Sequence, residues 1–189
     1  MARPREFDTD TALAKAMNVF WEHGYADASL PDLLTGMELS RGSLYKAFKD
    51  KKSLFLKVLN NYDEQAVSDA VTLLTDSTQD GWGRIFALFG SIADTVDAGD
   101  RRGCLLCSAI AGPAAYDQEI AAFATKSLDR MRSAFVVALN EALPPAQVAP
   151  LADLLVTQYV GMRIMSRTNA SVLSLRRNII ALKAIARQP

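Results

Sequence analysis

The sequence predicts an all-α protein of about nine helices: an N-terminal three-helix helix-turn-helix domain followed by a C-terminal helical bundle. Three observations predict it. Apolar residues recur at three- and four-residue spacing through most of the chain, and no sustained period-2 alternation is present. Clusters of Gly, Pro, Asp and Asn interrupt that pattern at intervals suited to helices. Two short periodic segments joined by a glycine-initiated turn lie between Ser29 and Phe48, the sequence form of a helix-turn-helix.

Leu13, Ala16, Met17, Phe20 and Trp21 form one stripe, so a first helix is expected over 8–22, with His23-Gly24 closing it and Gly as the left-handed cap. Ser29 then reads as an N-cap, with Asp32 three residues on as the capping-box acid. Pro31 is tolerated because it falls in the first turn. This helix is expected to reach Thr35, with Gly36-Met37-Glu38-Leu39 as the turn. Ser40 caps a second short helix, Arg41 to Phe48. Asp50 caps a longer one whose stripe is Leu54, Phe55, Val58, Leu59 and Tyr62, continuing to Leu74. After a polar connection at 75–83, helices are expected at 82–96, 105–111, 117–143, 146–167 and 171–186. The breaks are Asp97-Ala-Gly-Asp100, Gly112-Pro113, Pro144-Pro145 and Thr168-Asn169.

The chain has 189 residues, half of them hydrophobic and 22% charged, enough for a sizeable core. Lys+Arg and Asp+Glu balance at 21 each, yet charge is not evenly spread. From Ser40 to Asn60, six cations (Arg41, Lys46, Lys49, Lys51, Lys52, Lys57) face Asp50 alone, a local excess of five. No apolar run approaches the roughly 18 residues of a membrane-spanning helix. The polar start, Met1 to Glu6, lacks a signal-peptide stretch, so a cytoplasmic protein is expected.

The basic segment has the layout of a DNA-reading element. The second helix of a helix-turn-helix lies in the major groove with its first residues at the base edges. Arg41 suits a bidentate pair with guanine O6 and N7. Gly42 lets the helix approach closely, Ser43 reaches a base or phosphate, Tyr45 suits a phosphate, and Lys46 a base or phosphate. Leu44 and Phe48, at i and i+4, point back into the core. Ser29 and Lys51 stand at helix starts, where backbone N–H groups attract phosphate.

Residues 8 to 55 resemble the N-terminal domain of TetR/AcrR-family transcriptional regulators. The resemblance is carried by Ala16-Met-Asn-Val-Phe-Trp-Glu-His-Gly-Tyr25, Ala28-Ser29-Leu30, Leu39-Ser-Arg-Gly-Ser-Leu-Tyr-Lys-Ala-Phe48 and Lys51-Lys-Ser-Leu-Phe55. Pro31 and Leu33-Leu34 depart from the commoner second-helix pattern, which touches packing more than contact. The resemblance places Ser29, Arg41, Gly42, Ser43, Tyr45, Lys46 and Lys51 at family DNA-contact positions, with Ser40 as the cap beside them. It implies a helix-turn-helix DNA-binding domain over 1–50 and a ligand-binding and dimerisation domain over 51–189. It also implies a homodimeric repressor on a palindromic double-stranded DNA operator, released by a small-molecule inducer in the C-terminal bundle. Arg102-Gly-Cys-Leu-Leu-Cys-Ser-Ala-Ile-Ala111 is similar to a Gly-Cys-Leu segment of one branch of the family.

Two helices of the second half point to the dimer independently. Leu151, Leu154, Leu155, Tyr159 and Met162 line one face of the 146–167 helix, and Val156, Val160 and Ile164 another. A helix apolar all round needs cover on every side. Val172, Leu175, Ile179 and Leu182 stripe the 171–186 helix, with Ile180 and Ala184 turned away. A subunit interface covers both; a wholly intramolecular core is the alternative.

Candidate pocket residues are Trp82, Phe86, Phe89, Cys104, Cys107, Tyr116, Phe123, Met131, Tyr159 and Met162, each of which also reads as core. For Cys104 and Cys107, three readings stay open: a structural pair, a thiol or redox sensor activated by Arg101 and Arg102, and a soft-metal site. The single histidine, His23, lies far off in the chain, and no catalytic triad, glycine-rich phosphate loop or metal-ligand cluster is visible, so neither an enzyme, a cofactor nor a bound metal is expected. A small-molecule-binding helical protein without DNA function is the second class.

Overall fold

The computed structural model describes residues 7–186; the polar start at 1–6 and the last three residues lie outside them. Every regular element among the described residues is helical: α1 (Thr9–Asp27), α2 (Leu30–Met37), α3 (Arg41–Phe48), α4 (Lys51–Tyr62), a π turn (Asp63–Val67), α5 (Ser68–Thr75), α6 (Gly81–Asp97), α7 (Leu105–Ile110), a 3-10 turn (Pro113–Tyr116), α8 (Gln118–Asn140), α9 (Pro145–Met165) and α10 (Val172–Ile185). Because α4, the π turn and α5 run on without a break, the described chain makes nine rods. None of these helices is long and apolar enough to cross a membrane.

Short polar side chains start the helices where the sequence places them. Asp8 accepts from the Asp10 N–H at 3.0 Å, Ser40 from Ser43 N–H at 3.1 Å, and Asp50 from Ser53 N–H at 2.7 Å. Ser29 and Asp32 form a reciprocal capping box, at 2.9 Å and 3.3 Å. Each satisfies N–H groups that have no partner within the helix.

Several boundaries differ from the sequence expectation, each for a physical reason. Gly24 breaks the first helix with φ 78° and ψ 168°, a conformation open to glycine, but the chain resumes a helical turn to Asp27. α2 runs through Gly36 to Met37, and Glu38 (φ 56°) is the left-handed cap. Gly36 is there for proximity: a Cβ would stand 2.3 Å from Val19 Cγ2, so α1 and α2 cross with no room for a side chain. α8 ends at Asn140, and Pro145 opens α9 at its first position, where a missing N–H costs nothing.

The N-terminal core joins α1, α2, α3 and α4. Phe20 and Tyr25 of α1 each lie 4.7 Å from the Phe55 ring, and Trp21 meets Tyr62 edge-on at 5.4 Å. Leu33, Leu44, Phe48, Leu54, Val58 and Leu59 fill the space between. In the C-terminal bundle α8 packs against α5, α6 and α9, and α10 packs on α6. α10 buries Leu175 and Leu182, while Leu173, Ile180 and Ile185 face out; α9 likewise leaves Leu154 and Met165 exposed.

Candidate functional site

The helix-turn-helix holds α3 by its back and leaves its front free. Leu44 and Phe48 are fully buried, which turns Arg41, Gly42, Tyr45 and Lys46 outward, with Ser43 half-exposed beside them. This is the arithmetic of a 3.6-residue turn: positions i and i+4 anchor, and the residues between present a single outer face. Ser40 and Ser43 hydroxyls lie 2.9 Å apart at the tip of α3. A Lys15–Glu38 ion pair at 2.7 Å ties the connecting turn to α1. After α3, Lys49 adopts φ 69° and ψ −56°, and the Asp50 N–H donates to the Phe48 carbonyl at 2.8 Å. That γ-turn is costly for a residue with a Cβ, and it redirects the chain into α4 within one residue.

The positive charge of this segment is less available than its sequence suggests. Among the described residues Arg41, Lys46 and Lys49 form no ion pair, and they project from the tip. Lys52 is bound to Asp117 at 3.0 Å and Glu119 at 2.9 Å, both at the head of α8. The hydrogen bonds it donates to Glu119 and then to Asp117 raise its pKa. Lys51 donates to the Ala26 carbonyl at 3.0 Å and its ammonium sits 5.1 Å from the Tyr25 ring centre, with burial lowering its pKa. Lys51 thus secures the end of α1 in the DNA-free chain, a role the sequence reading did not include. Ser29 is exposed at the start of α2, its hydroxyl 2.5 Å from the Asp32 carboxylate.

The ten pocket candidates do not converge. Phe89 and Met131 lie in closed core, and the Phe89 ring stacks on Phe135 at 6.1 Å. Trp82 and Phe86 stack at 5.5 Å on the α6–α10 edge beside Lys183. Phe123 lines an open groove of about 640 Å3 with Leu13 and Leu56, between α1, α4 and α8. Tyr116 corrects the expectation outright: at 91% exposure it lines nothing, because it ends the 3-10 turn just before α8. Met162 is buried one turn along α9 from Tyr159.

Besides the Trp82–Phe86 pair, Cys104, Cys107 and Tyr159 come together, and they do so around two residues that sequence reading missed, Tyr62 and Arg163. Cys104 caps α7, its sulfur accepting from the Cys107 N–H at 3.5 Å. The Cys107 thiol donates to it, the Arg163 guanidinium attracts its charge and the Tyr62 hydroxyl adds a further hydrogen bond, so Cys104 falls to about 6 despite burial. Cys107, as the donor in a buried site, is pushed up. Burial raises Tyr62 and Tyr159. The cation was expected from Arg101 or Arg102. Instead Arg101 donates to the Thr168 and Ala170 carbonyls, at 3.0 Å and 3.2 Å, while Arg102 pairs with Asp100 at 2.7 Å and lies 4.4 Å from the Trp21 ring. Arg163 comes from α9, far away in sequence, where no local pattern announces it.

The comparisons with known proteins agree with this geometry. Residues 12–58 match the family described as bacterial regulatory proteins, tetR family. The HTH-type transcriptional repressor ComR of Escherichia coli (strain K12) is 29% identical over 177 residues, covering 90% of this chain and 84% of its own. The TetR family transcriptional regulator CifR, solved as a cysteine mutant with 26-base-pair double-strand operator DNA, is 29% identical, covers 99% of this chain and all of its own, and superposes with a TM-score of 0.79. Reduced NemR of E. coli shares the fold at a TM-score of 0.82 and 18% identity, covering 93% of this chain and 94% of its own.

Proposed function

We propose, for a chain that belongs to the TetR family of transcriptional regulators, a DNA-binding repressor that acts as a homodimer on a palindromic operator and lets go when a small molecule occupies its C-terminal bundle. The observation that carries the reading is the outer face of α3. Arg41, Gly42, Ser43, Tyr45 and Lys46 stand clear of the core on a helix whose opposite face, Leu44 and Phe48, is locked in it.

In this reading Arg41, Ser43 and Lys46 meet base edges, and Tyr45, Ser29, Ser40 and Lys51 meet the backbone. Lys51 exchanges its bond to Ala26 for a phosphate or shares the two. The dimer joins α9 and α10 of one protomer to the same helices of its partner, covering Leu154, Met165, Leu173, Ile180 and Ile185. The two copies of α3 then stand ~34 Å apart, one turn of DNA. The rod of α4 and α5 links the sites, since it begins beside α3 and ends inside the bundle. Lys52, clamped to Asp117 and Glu119, ties its first turn to α8. A ligand shifts this system only through unequal affinity for the bound and free arrangements.

The test is a mobility shift on the DNA upstream of the protein's own coding sequence, titrated with salt. Specific binding whose affinity falls steeply with salt is expected. A protein that binds small molecules but no DNA at low salt would instead be a helical ligand carrier.

A further inference from the structure

We propose that Cys104 and Cys107 form a reversible disulfide in response to hydrogen peroxide, and that its formation weakens the grip on DNA. The step into DNA affinity rests on the repressor reading above; the chemistry of the pair does not.

The two cysteines are neighbours in space as well as spacing. Cys104 is the N-cap of α7 and its Sγ accepts from the Cys107 N–H at 3.5 Å, which holds both side chains in the first turn of one helix. Both are free and buried. A crevice of about 90 Å3 opens beside α7, lined on that helix by Leu105, Ser108 and Ala109 and across from it by Phe20, His23 and Gly24. The crevice borders α7 without reaching either sulfur, so a small oxidant such as peroxide gains the pair through a local opening of this short helix.

The Cys104 thiolate attacks one peroxide oxygen. An S–O bond forms, the O–O bond breaks, and the hydroxide released takes a proton to become water, leaving a sulfenic acid. The Cys107 sulfur then attacks the Cys104 sulfur, the S–S bond forms, the S–O bond breaks, and hydroxide leaves with the Cys107 proton as a second water. Two thiols supply two electrons and one peroxide accepts them.

The consequence is electrostatic. Arg163 is half-buried, its buried Nε has no hydrogen-bond partner, and it faces Tyr159, Tyr62 and the Cys104 thiolate. A disulfide carries no charge. Oxidation therefore removes a negative charge from beside a half-buried guanidinium, which is unfavourable. The groups that must yield are Tyr159 on α9, whose ring lies 5.4 Å from the guanidinium, and Tyr62 on α4, which touches Cys104 and meets Trp21 of α1 at 5.4 Å. Those contacts lead from the sulfur pair to α1 and α4, the helices that carry α3.

The test treats the full-length reduced protein with hydrogen peroxide, alkylates free thiols and reads peptide masses. It then measures affinity for the upstream DNA and Trp21 emission in a Trp82→Phe background. Expected are a Cys104–Cys107 cross-link in place of two alkylated cysteines, a changed Trp21 emission, at least about tenfold weaker DNA binding, and full recovery with dithiothreitol. Cys107→Ser should stop at a sulfenic acid that a dimedone probe captures, and Cys104→Ser should not react. Two thiols still alkylated after peroxide, or equal reactivity of Cys104→Ser, would overturn the site. A disulfide that leaves Trp21 emission and DNA affinity unchanged would overturn its regulatory role. A chain that cross-links and shifts Trp21 but binds DNA in neither state counts against the repressor reading and not against the thiol pair.

Discussion

Gly36 of α2 lies so close to Val19 of α1 that a Cβ added at position 36 would stand 2.3 Å from Val19 Cγ2. In an exposed helix Gly→Ala gains up to about 1 kcal/mol, whereas overpacking costs about 1–3 kcal/mol, so the clash wins here. Gly36→Ala is expected to lose roughly 1–2 kcal/mol in urea unfolding and to loosen DNA binding by tilting α2 against α1. Adding Val19→Ala should recover part of the loss in a double-mutant cycle. Strict additivity would remove the contact from the explanation.

Arg41 and Lys51 are expected to fail differently. Arg41→Ala should cost about 1–3 kcal/mol and relax preference at one base pair per half-site. Lys51→Ala should weaken all sequences alike and lower the salt slope by about one unit. It should also reduce stability, because its ammonium holds the Ala26 carbonyl at 3.0 Å. Binding to randomised half-sites, repeated at several salt concentrations, separates the two; a change in salt slope alone for Arg41→Ala would move that residue from base to backbone.

Ile180 is 65% exposed on α10 and Leu173, two turns before it, 57%. Ile180→Asp places a charge in the centre of the proposed interface and should raise the dimer dissociation constant at least about thirtyfold. Sedimentation velocity over a range of concentrations reads this directly. An unaltered dimer would mean that another face joins the subunits.

The thiol pair makes stability depend on pH. Cys104 is held down to about 6 in the folded chain against an ordinary 9.0, chiefly by the Cys107 hydrogen bond and then by Arg163. Between those values the folded state binds fewer protons than the unfolded one. The contribution is complete above the higher value and is lost as pH falls through the lower. Reduced wild type should therefore gain stability from pH 6 upward with a slope of at most about 1.4 kcal/mol per unit, and Cys104→Ser should lack that gain. Urea unfolding in reducing buffer across this range decides it, and parallel curves for the two proteins would sink the assignment.

Local chemistry explains what the sequence makes legible. Ser40, Leu44 and Phe48 stand four residues apart, so cap and anchors lie within two turns and need no distant partner to be read. The Ser29–Asp32 capping box is equally local. Gly36 misleads because glycine at a helix end and glycine at a helix crossing look the same in one dimension; only Val19 tells them apart. Arg163 is invisible for a related reason, since its relation to Cys104 exists only after α7, α8 and α9 have packed. Lys51 and Lys52 count as free charge in the sequence, and the fold assigns them to Ala26, Asp117 and Glu119. Tyr116 reads as an apolar aromatic, and only the turn that ends beneath it shows that nothing covers it.

The π turn at Asp63–Val67 changes the phase of the rod in which it lies. Across it the buried stripe steps by five, from Tyr62 to Val67, before the ordinary step resumes at Ala70 and Leu74. One surplus residue is stored in that loop of backbone, and Asp63, paired with Arg130 of α8, pins it. A rod with two phases serves two cores that would otherwise need different helices. It also behaves as a screw with a removable thread. Expelling the surplus residue into a regular helix would turn everything on one side of it by about 100° relative to the other. The α3 end of the chain and the bundle at α8 are thus joined through a single residue of slack.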